Sequence, residues 1–452
     1  MNSLYNISSI DGRYNETTHV FHKYFSEFGL IKYRVLIEIE YLIFLNNYKL
    51  MEPFTKEEFT YLFTLHIGFN LEDAKRVKEI ESTTKHDVKA IEYFIKEKLE
   101  SHPTLKTHSH FIHLGLTSQD INSSANMLSM KHGIEHIIIP HLNDIFKHLI
   151  DLSDDWKCIP ILSHTHGQPA SPSLLGKEIL VFVERLHNQL SMLKTVKYTT
   201  KFGGAVGNFN SLVFSLPHIN WIEFADKFVK TLGLERNIYT TQIDHYDNYS
   251  VIFDTIKRIN TILIDLCQDI WYYISMNYFC LKIVKGEVGS SAMPHKVNPI
   301  NFENAEGNLL LANNTFNFLS DKLPKSRLQR DLTDSTILRN IGLAFSYCMI
   351  GYTSLHKGLL KLEVNNSTIT EDLKKNYVVV AEGIQTKLKL LGIHDSYEKI
   401  KDITRTNTSD VDSLKLNLQT YIHSLDIAES DKNDLLLLTP FNYTGCVPKH
   451  SF

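Results

Sequence analysis

The chain has few of the features that anchor a protein covalently or in a membrane. Five cysteines (Cys158, Cys267, Cys280, Cys348, Cys446) are scattered through 452 residues with no CxxC spacing. That pattern offers neither a disulfide framework nor a thiolate metal site, and it reads as reduced thiols in a cytoplasmic protein. No run of about 18 uncharged apolar residues occurs, so no membrane helix is expected. Residues 1–12 lack the basic-then-apolar order of a signal peptide. An excess of one charge sign is missing too: the formal net charge is −4. Nucleic acid and anionic membranes are therefore not expected partners, and any anion site must be a local cluster of cations. No internal repeat of 20–50 residues and no low-complexity tract is found.

Helical periodicity is abundant. From Ser250 to Lys285 there is no Gly or Pro, and Ile252, Ile256, Ile259, Leu263, Leu266 and Ile270 recur at spacings of four and three. This predicts one helix of about 54 Å, which needs neighbours of similar length. Further long helices are expected over 119–155, with a kink at Pro140, and over 172–195, capped by Ser171. Two more are expected over 301–319 and 335–362. The expected architecture is all-α in three parts: a helical domain over 1–106, a central bundle of long helices over 107–362 and a small helical domain over 363–452. Gly203-Gly204-Ala205-Val206-Gly207 lacks the Lys-Ser/Thr of a P-loop and is expected to be a tight turn.

Several segments carry groups fit for chemistry. Gly289-Ser290-Ser291-Ala292-Met293-Pro294-His295-Lys296-Val297-Asn298-Pro299 joins two hydroxyls, a cation and an amide in a stretch suited to neither helix nor strand. His164-Thr165-His166-Gly167-Gln168 offers either a metal pair, with no HExxH or CxxC to complete it, or a histidine that handles a proton. Thr117, Ser118 and Asp120 suit a helix start, either as caps or as a receptor for a carboxylate. Arg330, Ser335 and Arg339 make a phosphate clamp or a solvated charged face. Asp11-Gly12-Arg13-Tyr14 and Lys85-His86-Asp87 are each weak signals alone.

Together these segments resemble the fumarase/aspartase superfamily. Its three separated motif regions have counterparts in His113–Asp120, Thr165–Gln168 and Gly289–Asn298. The last fits Gly-Ser-Ser-x-Met-Pro-x-Lys-x-Asn at every fixed position. His295, the Asp11–Tyr14 start, Lys85–Lys89 and Leu328–Ser335 point to the purine-nucleotide branch. Argininosuccinate-cleaving relatives usually have Gln, and fumarases Gly, at the place of His295.

The resemblance implies a carbon–nitrogen lyase that releases fumarate from adenylosuccinate, giving AMP, and from SAICAR, giving AICAR, with no cofactor and no metal. It implies Ser290 as the base, His166 as the acid, and Lys296 and Asn298 as stabilisers of the developing carboxylate charge. It implies His86 as a second histidine of the catalytic set, one that binds or orients the substrate. It further implies Arg13, Tyr14, Arg330, Ser335 and Arg339 around the phosphate and nucleotide, and Lys85 and Asp87 among the substrate-binding residues. Thr117, Ser118, Thr165, Gln242, Ser291 and Met293 would surround the succinyl part. A homotetramer with sites shared between subunits is implied as well. The competing expectations are another fumarate-releasing lyase, such as one acting on argininosuccinate, and a non-catalytic structural homologue.

Overall fold

The computed structural model describes residues 3–283, 286, 292–405 and 410–449. It is built of helices with, among the described residues, three two-stranded ribbons. Two compact units are formed: Met1–Asn143 with Gln189–Ile264 and Asn304–Ser354, and Asp144–Asn188 with Asp265–Glu303 and Leu355–Phe452.

In the first unit, the Glu27–Asn47 helix buries Ile31, Val35, Ile39 and Leu42 at a spacing that keeps them on one face. This face shares an apolar cluster with Leu62, Val77, Ile91, Phe94 and Leu99 from the helices Lys56–Ile67, Leu71–Thr84 and Asp87–Glu100. Thr55 with Glu58 and Asn70 with Asp73 form reciprocal capping boxes that start two of these helices. The Glu27–Asn47 helix also meets the Ser118–Gly133 helix, where buried Arg34 donates to Asn122 Oδ1 at 2.8 Å and to Asp87 Oδ2 at 2.7 Å. One guanidinium thereby ties three helices together.

The expected kink at Pro140 takes a specific form. A π-helical turn, Ile134–Ile138, precedes the proline, and the Ile139 N–H reaches back to Ile134 O. Pro140 has no N–H to continue the ordinary ladder, so the register is changed just ahead of it.

The apolar seam of the longest helix holds: Ile252, Ile256, Ile259, Leu263, Leu266 and Ile270 are all buried. That helix is Asp247–Ser275, about 44 Å long, so the expectation of helix to Lys285 is corrected. Asn277 takes the left-handed conformation at φ 58°. The N–H groups of Asn277 and Tyr278 return to Ile274 O and Tyr273 O, a Schellman-type stop. Phe279–Leu281 then pairs antiparallel with Leu362–Val364, which also explains why the helix expected to run to 362 ends at Leu359. Within the first unit Asn260 donates to Asn313 Oδ1 at 3.0 Å and accepts from Tyr352 at 2.6 Å, while Phe316 stacks on Phe253 and meets Phe345 edge to face.

In the second unit, residues 168–174 are not the start of a helix. Pro160–Thr165 (β1) and Gln168–Leu174 (β2) form an antiparallel hairpin, and the helix begins at Leu175. Ser171 is a strand residue there, not a cap. The C-terminal helices, from Asn366–Lys375 to Glu429–Leu436, enclose their own apolar cluster of Tyr377, Val380, Ile384, Leu388, Ile400, Leu418, Ile422 and Leu435.

Candidate active site

The Ser118–Gly133 helix starts on a buried ionic foundation. Asp120 and Lys201 are both fully buried and meet at 2.6 Å. Asp120 also accepts from the N–H groups of Thr117 (2.8 Å), Gly203 (2.8 Å) and Gly204 (3.1 Å). Lys201 donates in addition to Gly204 O at 2.6 Å. Burial pushes the Lys201 ammonium below its ordinary pKa, and Asp120 opposes that shift.

The glycine-rich stretch is thus a turn wrapped on a carboxylate. It follows the short strand Thr199–Thr200 rather than a helix. Gly207 has φ +85°, and a Cβ there would lie 2.3 Å from Thr240 O, so no other residue fits without moving the turn.

Above this foundation lies a cleft of about 530 Å³ lined by Lys85, His86, Asp87, Ser118, Arg330, Ser335 and Arg339, with Glu81, Asn122, Leu332 and Thr336. Seven residues expected around the substrate are therefore brought together from three separate stretches of sequence. A larger groove of about 940 Å³, lined by Phe209, Trp221, Tyr239 and neighbours, contains none of them. The smaller cleft is the better candidate because the cations converge there.

The cations are poised differently. Arg330 donates to Gln242 Oε1 at 3.0 Å and to Ser335 Oγ at 3.4 Å, both neutral acceptors. Gln242 in turn donates to Ala205 O at 2.9 Å, which links the cleft to the glycine turn. Arg339 is paired with Glu27 and Asp87, each at 3.0 Å. Burial works against the charge of Asp87, but Arg34, the Val88 N–H and Arg339 together hold its pKa below the usual carboxylate value. Asp87 thus orients two guanidiniums.

His86 caps the helix it precedes, its Nδ1 accepting from Lys89 N at 3.1 Å. With Nδ1 accepting, the neutral ring carries its proton on Nε2 and presents a donor. Lys85 takes φ +54° at the end of the preceding helix.

Arg13 and Tyr14 do not line this cleft: Arg13 lies over the Tyr14 ring, and the Tyr14 hydroxyl accepts from Asn304 at 3.0 Å. Thr117 serves as the N-cap position of the Ser118–Gly133 helix.

Three further residues of this unit have no individual role assigned from the sequence, although His113 and Gln119 belong to the His113–Asp120 motif. Gln119 donates to Ser335 Oγ at 3.3 Å. Asn122 receives Arg34. His113, at φ +59°, places Nδ1 2.6 Å from fully buried Glu38 and Nε2 3.8 Å from Glu92. Burial disfavours the imidazolium, but the two carboxylates together hold its pKa above the ordinary value. Its sequence signal is its place at the head of the His113–Asp120 motif, two residues ahead of Gly115, whose φ is +70° in the structure.

The second unit holds the other expected groups. Thr165 and Gln168 pair at the end of the hairpin, leaving His166 and Gly167 as a two-residue turn with φ of +54° and +72°. His166 is exposed at that tip. Among the described residues no three His, Cys, Asp or Glu side chains converge as a metal site, so His164 and His166 gain no third ligand there. Ser290 and Ser291 lie outside the described residues. Of the same motif, Met293, His295 and Lys296 are exposed, and Lys296 N bonds back to Met293 O at 3.1 Å. Asn298 Oδ1 is buried and has no hydrogen-bond partner among the described residues. An amide oxygen in that state is a free acceptor held in place.

This fold and this set of groups define a lyase of the fumarase/aspartase superfamily. The family profile described as lyase matches residues 51–312, and that described as adenylosuccinate lyase C-terminal matches residues 326–444. The chain is 50% identical to an adenylosuccinate lyase of Dictyostelium discoideum, covering 99% of this chain and 98% of the relative. It is 44% identical to that of Escherichia coli K12, covering 98% and 97%. Among solved structures it resembles a fumarate lyase from Mesorhizobium sp. BNC1 (TM-score 0.75, 16% identity, 95% of each chain). It also resembles the beta-carboxy-cis,cis-muconate cycloisomerase of Acinetobacter calcoaceticus (TM-score 0.71, 16% identity, 95% of each chain). The chain belongs to the adenylosuccinate lyase family.

Proposed function

We infer that the chain cleaves adenylosuccinate to AMP and fumarate, and SAICAR to AICAR and fumarate, by β-elimination. The observation that carries this reading is the cleft itself: Lys85, Arg330 and Arg339 converge beside Ser118 at a helix N-terminus. That arrangement suits a substrate that carries a phosphate and two carboxylates, in a chain with no general excess of positive charge. The expected roles supply the chemistry. Ser290 takes the proton from the carbon beside a succinyl carboxylate. Lys296 and Asn298 stabilise the charge that develops on that carboxylate. The C–H electron pair then becomes the fumarate double bond, and the C–N pair leaves with the purine nitrogen. His166 donates the proton that this nitrogen takes up. His86, with Nε2 as donor, orients the substrate.

The domain organisation 1–106, 107–362 and 363–452 is retained as a proposal. It is supported by the separate apolar clusters formed by residues 31–105 and 377–435. A homotetramer with shared sites is proposed because the long helices expose large apolar side chains: Val251, Trp271 and Tyr272 on one, Leu310, Leu311 and Phe318 on another. Such faces call for a partner copy. No described helix is long and apolar enough to cross a membrane, and a cytoplasmic location is proposed from the free thiols of all five cysteines.

The test is fumarate release by the purified protein with adenylosuccinate, SAICAR and argininosuccinate. Turnover of the first two and not the third is expected. Turnover of argininosuccinate alone, or of none, overturns the reading.

A further inference from the structure

The hairpin that carries His166 is held by the C-terminal region at Ser171 and, through Tyr278, at His164. Its register is regular except at one point: Leu162 pairs with Pro172, and the next pair is His164 with Pro169. Ser163 on β1 is therefore opposed by Ala170 and Ser171 on β2, a bulge that sets which way the outer part of the hairpin faces. At this bulge Ser171 Oγ donates to Glu382 Oε2, from the helix Ala381–Leu390. The same carboxylate oxygen accepts from the Tyr443 hydroxyl at 2.9 Å. On β1, the His164 ring lies 6.3 Å from Tyr278. The Tyr278 hydroxyl donates at 2.6 Å to Asp372 of the helix Asn366–Lys375. A slip of one residue in such a ribbon would send the side chains of the tip to the other face.

We propose that the C-terminal helices act as a clamp on this hairpin, with Glu382 and Tyr443 as positioning residues that fix the bulge at Ser171 and hence the place of the His166 imidazole. The proposal rests on the reading of His166 as the acid. Tyr443 burial and its bond to Glu382 both raise the phenol pKa, in keeping with a hydroxyl held as a donor. Glu382 and Tyr443 then contribute to turnover through the hairpin and not by contact with the substrate. Losing the clamp should lower kcat and leave KM nearly unchanged, because proton delivery depends on sub-ångström placement.

The experiment measures kcat, KM and Tm for Tyr443→Phe, Ser171→Ala, Glu382→Ala and Glu382→Gln. A control, Tyr421→Phe, removes a buried hydroxyl from the same helices that has no hydrogen-bond partner among the described residues. Tyr443→Phe and Glu382→Ala should lower kcat about tenfold with KM within about twofold. Glu382→Gln should recover most of it, since the amide oxygen still accepts from both hydroxyls. The control should match the parent. In a His166→Gln background, single-turnover rates should show no further loss from Tyr443→Phe. Parent-like kcat in both Tyr443→Phe and Glu382→Ala overturns the clamp, as does an equal loss in the presence and absence of His166. If Glu382→Ala does not fold, Tyr443→Phe alone decides. Full turnover by His166→Gln would instead overturn the acid assignment, whatever the clamp variants do.

Discussion

Replacing Lys201 by Met tests whether the Asp120–Lys201 pair is the foundation of the cleft. Both side chains are fully buried and 2.6 Å apart. At an effective dielectric of about 20 their gross attraction is about 6 kcal/mol, most of it offset by the desolvation of two ions. Removing one partner of such a pair typically costs about 3–5 kcal/mol, because the other charge is left buried. Here Asp120 keeps three backbone donors, from Thr117, Gly203 and Gly204, so the loss should lie at the low end. Gly204 O loses its lysine donor, which adds about 1 kcal/mol. A net loss of about 3–4 kcal/mol is expected, read as a shift of the urea midpoint at unchanged slope. Ser118 rides on this helix start, so KM for adenylosuccinate should rise as well. The double variant Asp120→Asn, Lys201→Met leaves no buried charge and should recover part of the loss, a coupling that a double-mutant cycle isolates. A single-variant loss below about 1 kcal/mol, or a double variant less stable than the single, would refute this account of the pair.

Arg330→Met removes a guanidinium whose partners are neutral, so its charge is available to substrate. KM for adenylosuccinate should rise by about 10- to 100-fold, the worth of a charged hydrogen bond, and an unchanged KM would remove Arg330 from the phosphate site. His113 has a folded-state pKa above its unfolded value, so its pairing with Glu38 and Glu92 stabilises fully below about pH 6.5 and is lost as pH rises through the higher folded value. The stability gap between the parent and His113→Gln, from urea midpoints across that range, should therefore narrow with rising pH, and a widening gap would contradict the assignment. Mixing inactive His166→Gln and Ser290→Ala subunits after partial denaturation should restore some turnover if sites are shared, and no recovery would argue for sites complete within one subunit.

How much of this was legible beforehand divides along physical lines. The helical class was readable because apolar spacing reports burial directly: each of Ile252 through Ile270 in the expected seam is buried. Helix ends were less readable because they depend on tertiary partners. Nothing local says that Phe279–Leu281 must pair with Leu362–Val364, yet that pairing stops one helix at Ser275 and another at Leu359. Pro172 behind Ser171 suggests a helix start, whereas the missing N–H groups of Pro169 and Pro172 suit a bulged hairpin strand equally well.

The cleft was legible as a set of residue types but not as a geometry. Arg330 and Ser335 are five apart and could be placed together from sequence. Arg339 reaches Asp87 only through the packing that also brings in Arg34 and Asn122. The ionic setting of His113 is not legible in its motif for the same reason, since its carboxylates come from Glu38 and Glu92 on two other helices. His166 shows the converse. Its motif was evident, but its setting at the left-handed tip of a hairpin was not, and that setting matters for the chemistry. An imidazole at such a tip is exposed and held mainly by the register of the strands beneath it. With His166 as the proposed acid, its precision would come from whatever fixes that register, and the proposed clamp would put part of the demand for catalysis on residues as far along the chain as Glu382 and Tyr443.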